Sequence, residues 1–305
     1  MWQNAFFYRL NGLRAEENSF LILRLDFFAE QMNELIYIAS RCPFNMIAAC
    51  LQLSVSGQSP ASNMRAAVSM ASEAASSGAQ LIALPELFAT GFGREHTPDD
   101  PPYQLLDPLR SVAKEHACTI IGSIMASSSS PKGRRDRYNM GFCTNGRIES
   151  YYCKAHLFGD EREYFLPGVG IEPLKSAHGT VGLQICYDLR FPESARLLSL
   201  RGADFLVTAA QFPGSRIGHW RCLVAARAIE NQIHHIACNW AGPGDGLERQ
   251  AMESAGYSAI IDPWGDVLAR AGTGEEIILA QIDLSKRDLV RSSITCWKDR
   301  RADLY

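Results

Sequence analysis

From residue 46 onward the apolar positions fall into short blocks of two alternating kinds. MIAACLQL (46–53) is a nearly continuous apolar run of strand length. After Ser59-Pro60 the spacing lengthens to a helical one over 61–77, and QLIALPE (80–86) returns to a strand. The alternation repeats with a helical pattern near 103–116 and a strand at CTIIGSIMA (118–126). YNMGFCT (138–144) and RIESYYCK (147–154) flank Asn145-Gly146, a strong signal for a two-residue hairpin. Helices near 192–201 and 216–232 then alternate with strands at ADFLVTA (203–209) and HHIACNW (234–240). The chain closes in β structure, with GYSAIID (256–262), a Pro-Trp-Gly turn, DVLAR, and EIILAQID (276–283). Strands interleaved with helices and no linker-like stretch predict one α/β domain of layered sheets and helices over 46–305.

Two stretches break this rhythm. SSSSPKGRRDR (127–137) lies between strand-like runs and reads as a hairpin tip rather than a binding patch, and GPGDG (242–246) reads as a turn. Residues 1–45 form an N-terminal extension of different character, crowded with Phe, Leu and Glu. It reads as a poorly anchored extension or the result of a misplaced start ahead of Met46; the rival is an amphipathic helix over 17–40. Charges interrupt the apolar stretches of its first 20 residues, so a signal peptide is not expected.

Composition narrows the classes of function. With 47% hydrophobic and 21% charged residues in 305, the chain can bury a substantial core. A net charge of -3 supplies no basic field, which argues against nucleic acid or an anionic membrane as partner and leaves a small-molecule substrate. Nine scattered cysteines with no Cys-x-x-Cys pair read as free thiols in a reducing, cytoplasmic setting. No run reaches the ~18 apolar residues a spanning helix needs.

Chemistry concentrates at three strand ends. Glu86, Lys154 and Cys186 each close a β-like run, where side chains from different strands of an α/β sheet converge on one crevice. Taken singly, each has an ordinary reading: a core thiol, a carboxylate at a helix start, a solvated strand end. Together they make a nucleophile, a base and a cation. A thiol of ordinary pKa ~8.5 is mostly protonated at neutral pH and needs such neighbours to attack. His156 and His219 keep a cysteine-histidine dyad open as the competing design. His234 and His235 point to opposite faces of a strand and make a poor metal pair.

Three segments in order, LPELFATGF (84–92), YCKAHLFGDEREYFLPG (152–168) and GLQICYDLRFPE (182–193), resemble the nitrilase, or carbon-nitrogen hydrolase, superfamily. HWRCLVAARAIENQ (219–232), Asn239 and DPWGDVLAR (262–270) support the likeness, which spans about 46–305. The resemblance implies a four-layer αββα sandwich, a Glu86-Lys154-Cys186 triad, and a second glutamate at Glu161, with Glu163 the near alternative. It further implies acyl transfer through a cysteine thioester, an oxyanion held by Lys154 and the backbone N–H of Tyr187, no metal or organic cofactor, and a homodimer or higher homo-oligomer. CYDLRFPE looks like the omega-amidase and deaminated-glutathione amidase branches. N-carbamoyl amino acid hydrolysis is the alternative, and a non-catalytic binding member is a third. Arg190 is a candidate for gripping a distal substrate carboxylate, or else for an internal pair with Asp188 or Glu193; Phe212 is a candidate apolar wall.

Overall fold

The continuous apolar runs become strands covered on both faces. The computed structural model describes residues 45–55, 59–93, 96–129, 135–147, 149–244, 252–253 and 256–304. In chain order the first half contains β1 (Asn45–Gln52), α1 (Pro60–Ser76), β2 (Leu81–Ala83), α2 (Asp107–Glu115), β3 (Thr119–Ser129), β4 (Arg135–Thr144) and β5 (Glu149–Cys153). The second contains β6 (Leu174–Ser176), β7 (Gly179–Ile185), α3 (Pro192–Leu200), β8 (Phe205–Ala210), α4 (Ile217–Asn231) and β9 (His234–Asn239). β10 (Pro243–Gly244), β11 (Met252–Glu253), β12 (Ala259–Ile261), β13 (Val267–Arg270), β14 (Glu276–Asp283) and α5 (Lys286–Ser293) follow.

Two six-stranded sheets result, ordered β14-β1-β2-β3-β4-β5 and β13-β12-β9-β8-β7-β6. Each has a parallel centre, β1, β2 and β3 in one and β7, β8 and β9 in the other, flanked by antiparallel strands. The side-chain period of two divides β1 cleanly. Met46, Ala48 and Cys50 face Val181, Leu183, Ile185, Ile236 and Cys238 of the other sheet, whereas Ala49 and Leu51 join the cluster under α1 and α2. α3 covers the opposite sheet through Ala195 and Leu198, and α4 through Trp220, Val224 and Ala228. The layers are therefore α, β, β, α, as the family likeness implies.

Local chemistry accounts for the starts of elements. Ser59 caps α1 by accepting from the Ser62 N–H at 3.2 Å, with Pro60 in the first turn. The turn at Asn145-Gly146 joins β4 to β5, and Gly146 adopts φ +78°, which a glycine tolerates without strain. The hairpin at 127–137 differs from expectation, because its strands run further toward the tip: Ser127, Ser128 and Ser129 pair with Arg137, Asp136 and Arg135. Main-chain pairing does not require apolar side chains, so the hydrophobic pattern misses it. The same reason hides β6, three residues long with Leu174 as its one apolar side chain. GPGDG is turn-like only in part, since Pro243–Gly244 pairs with Met252–Glu253 and residues 245–246 lie outside the described residues. The readings placed on the N-terminal extension, including the helix over 17–40, also lie outside them up to residue 44. Among the described residues no helix is long and apolar enough to cross a membrane.

The other sheet comes close to β4 at a glycine. A Cβ added at Gly141 would lie 2.4 Å from Leu183 Cδ2 and 3.3 Å from Ile185 Cδ1. Gly141→Ala is therefore expected to destabilise the fold by about 1–3 kcal/mol through overpacking, measured as a lower urea midpoint at unchanged slope.

Candidate active site

Topology gathers the three strand ends. Lys154 directly follows β5 and Cys186 directly follows β7, while Glu86 sits in the turn three residues beyond β2. Glu86, Lys154 and Glu161 are 0%, 1% and 4% exposed, so their charges must be neutralised by one another. Lys154 Nζ lies 2.7 Å from Glu86 Oε1 and 2.7 Å from Glu161 Oε1. Glu161 Oε2 also accepts from the Phe158 N–H at 3.0 Å, whereas Glu163 is exposed.

Glu86 has further donors. Asn139 Nδ2 reaches Oε1 at 2.7 Å, and the Gln211 N–H reaches Oε2 at 3.0 Å. The carbonyl of the same residue, in the next peptide group, accepts from the Cys186 thiol, with Sγ 3.5 Å away. One residue of main chain thus brackets the Glu86 carboxylate and the Cys186 thiol. Phe212, next in line, is held by Asn239, whose Oδ1 accepts the Phe212 N–H at 2.7 Å.

Charge sets the resting protonation. Burial alone would drive the Lys154 ammonium toward neutrality, but the Glu86 and Glu161 carboxylates outweigh it and hold its pKa above the ordinary lysine value. Burial raises the Cys186 pKa well above the usual thiol range; Glu86 adds to the rise and Lys154 partly opposes it. Burial also raises Glu161, against the pull of Lys154. Two carboxylates against one ammonium leave an excess negative charge, so a thiolate would add a second. Moving the thiol proton to a carboxylate keeps the total constant, and that transfer is the accessible route to a nucleophile.

The turn after the nucleophile is built on strain and one buried carboxylate. Cys186 has φ +44° and opens a short 3-10 helix, Cys186–Arg190. A non-glycine residue in that region is strained and must be held by its surroundings. Asp188, fully buried, does this: Oδ2 accepts from the Ile185 N–H at 3.0 Å and Tyr152 Oη at 2.8 Å, and Oδ1 from the His156 N–H at 3.0 Å. His156 Nδ1 is 2.8 Å from the same oxygen and must carry a hydrogen, because a carboxylate only accepts. The His156 ring stacks on Phe191 at 3.7 Å between centroids, so this histidine braces the loop that carries Lys154. Tyr187 is in the first turn of the short helix, where a main-chain N–H has no partner within the helix.

Arg190 turns away from the acidic residues beside it. Its Nη1 is 3.2 Å from His219 Nδ1, and its guanidinium lies 4.8 Å from the centroid of the Phe212 ring. Asp188 is engaged elsewhere. His219 therefore meets the site through Arg190 and has no bond to Cys186 among those described. Sequence reasoning did not single out Asn139, Gln211 or Tyr152. Asn139 left a faint signal as a buried amide inside an apolar strand, whereas Gln211 acts through its peptide group, which no side-chain pattern reports. Among the described residues no cluster of His, Cys, Asp or Glu has the makings of a metal site.

Comparisons with known proteins identify the family. Residues 47–292 match the family described as "Carbon-nitrogen hydrolase". The chain is 38% identical over 268 residues to the 2-oxoglutaramate amidase of Bacillus subtilis, covering 84% of this chain and 98% of that protein. It is 33% identical to the Omega-amidase NIT2 of Mus musculus over 272 residues, 84% and 95% of the two chains. The crystal structure of Saccharomyces cerevisiae Nit3, a member of branch 10 of the nitrilase superfamily, superposes with a TM-score of 0.75 at 27% identity, over 86% of this chain and 100% of that one. The chain belongs to the carbon-nitrogen hydrolase family.

Removing the central cation should expose the cost of the buried carboxylates. Lys154→Met is expected to lose about 3–5 kcal/mol of stability at neutral pH. The uncompensated carboxylates then have folded pKa values raised above their unfolded ones, so the penalty shrinks as pH falls toward the carboxylate range. Urea unfolding at neutral and mildly acidic pH checks both the size and the sign.

Proposed function

We propose that this carbon-nitrogen hydrolase cleaves the primary amide of a small carboxamide with a second, anionic end, the ω-amide of a 2-oxo dicarboxylate fitting best. The observation that carries the reading is the buried Glu86-Lys154-Glu161 cluster joined to Cys186 through the main-chain N–H and carbonyl of Gln211. The likeness to 2-oxoglutaramate amidase and omega-amidase relatives supports the substrate class.

Glu86 takes the Cys186 proton as sulfur bonds to the amide carbon, and the carbonyl electron pair moves onto oxygen. Two of the three N–H bonds of Lys154 are committed to Glu86 and Glu161, leaving the third for the oxyanion beside the Tyr187 N–H. As the carbonyl re-forms, the carbon-nitrogen bond breaks and Glu86 returns its proton to nitrogen, releasing ammonia and leaving a thioester. Water then gives a proton to Glu86 and attacks the thioester carbon. The carbon-sulfur bond breaks, sulfur recovers the proton, and the acid departs. Glu161 keeps Lys154 in position throughout.

The substrate's far end meets Arg190. This guanidinium has a histidine nitrogen and an aromatic face as its described partners and no carboxylate, which suits it to grip a substrate carboxylate with its planar fork. Phe212, buried against Trp220, forms a wall beside it. We further propose a homodimer, supported by exposed apolar side chains on adjoining elements: Ile229 of α4, Trp264, Leu289 of α5 and Ile294. The eight described cysteines, all free thiols, support a reducing, cytoplasmic setting.

Ammonia release across ω-amides of 2-oxo acids, N-carbamoyl amino acids and nitriles tests the assignment. Turnover is expected on the first class; rapid conversion of N-carbamoyl amino acids with no ω-amide turnover would replace the amidase reading with a carbamoylase one. Cys186→Ala should abolish thioester trapping by intact mass, and Glu86→Gln should lower kcat by ~10²–10⁴. A dead His219→Ala beside a near-normal Glu86→Gln would instead favour the histidine dyad. Arg190→Lys keeps charge but loses the fork, and should harm an anionic amide more than a short neutral one; equal losses would make Arg190 structural.

A further inference from the structure

We infer that Asn139 is a positioning residue for the base, its side-chain amide fixing Glu86 so that Oε2 is the oxygen that carries the proton. The inference rests on the reading of Glu86 as general base in the proposed hydrolysis.

The two carboxylate oxygens of Glu86 are not equivalent. Oε1 accepts two strong bonds, from Lys154 Nζ and Asn139 Nδ2, each at 2.7 Å. Oε2 accepts one, from the Gln211 N–H at 3.0 Å. A carboxylate oxygen has about two lone-pair sites, so Oε1 is filled and the vacancy for a proton lies on Oε2. That oxygen also belongs to the side of the carboxylate held by Gln211, whose carbonyl accepts from the Cys186 thiol.

Asn139 is itself rigidly placed. It lies within β4, opposite Met125 of β3, and its carbonyl accepts the Lys154 N–H at 2.9 Å. Its main chain thus sets where Lys154 leaves the sheet while its side chain sets how Glu86 is turned. The amide can present only its nitrogen to a carboxylate, which fixes its orientation. The other end, Oδ1, is buried and has no partner. An asparagine kept for packing or solvation would gain from satisfying both ends or from being replaced by an apolar residue. Here one end is left unsatisfied and the other is aimed at the base, which points to what the nitrogen end does.

The main-chain bond to Lys154 survives any side-chain change, so substitution isolates the amide. Asn139→Leu and Asn139→Ala, with Glu86→Gln as control, would be assayed for ammonia release from 2-oxoglutaramate and for acylation of Cys186 by p-nitrophenyl acetate, which does not depend on the substrate assignment. The expected result is a fall in kcat of about 10²-fold with KM little changed. A misplaced base should also alter the acid limb of kcat/KM, which a purely structural loss would leave in place. The other charged or titratable groups facing Glu86 are Lys154, Glu161 and Cys186, all retained in these variants. Leu keeps most of the volume and Ala removes it, so a packing failure in one leaves the other to decide. Near wild-type kcat with an unmoved acid limb in a folded Asn139 variant, beside a crippled Glu86→Gln, overturns the positioning role alone. Near-normal turnover and acylation in Glu86→Gln overturns the base assignment and, with it, this inference.

Discussion

A lysine ammonium sealed between two carboxylates is the constraint from which the rest of the site takes its form. Burial penalises the charge on each of Glu86, Glu161 and Lys154, and the ion pairs between them offset that cost. The surroundings supply fixed donors: an asparagine amide, the Gln211 and Phe158 N–H groups, and the lysine itself. Such preorganised dipoles need little rearrangement when charge moves during a reaction.

The two-sheet architecture explains how groups so far apart in sequence become so precisely spaced. Lys154 follows an antiparallel strand of one sheet and Cys186 a parallel strand of the other, so their separation is set by the packing of the sheets rather than by a loop. Gly141 and the side chains of Leu183 and Ile185 lie in that contact, with Gly141 two residues from Asn139, which holds Glu86, and Ile185 one residue from Cys186. Asp188 adds a second tie, joining the turn after Cys186 to Tyr152 and His156 on either side of Lys154. Stability and site geometry are therefore parts of one packing problem.

Much of this was legible in the sequence. The apolar runs marked the central strands because both faces of those strands are buried, and EIILAQID appears as β14 with the expected bounds. The three motifs pointed to Glu86, Lys154, Glu161 and Cys186, which the fold gathers in one cluster. What escaped notice did so for physical reasons. The outer part of the β3–β4 hairpin is held by main-chain bonds between polar residues, and β6 has one apolar residue, Leu174, too few to carry a hydrophobic pattern. The direction of Arg190 was open because Asp188 and Glu193 are its neighbours in sequence, and only the fold shows Asp188 engaged by Tyr152 and His156. Gln211 contributes through a peptide group, and Asn139 through the orientation of an amide; neither property belongs to a residue type.

The raised thiol pKa of Cys186 has a consequence for survival as well as for turnover. Peroxide and other oxidants attack thiolates, and sulfinic and sulfonic acids formed from them are largely irreversible losses. With burial and Glu86 both favouring the protonated form, the idle sulfur is chemically quiet. In the proposed hydrolysis its reactivity appears as Glu86 takes the proton and a bound substrate's carbonyl oxygen takes the new negative charge. The arrangement thus separates long life from fast chemistry in time, so that one sulfur atom can be inert between encounters and nucleophilic during them.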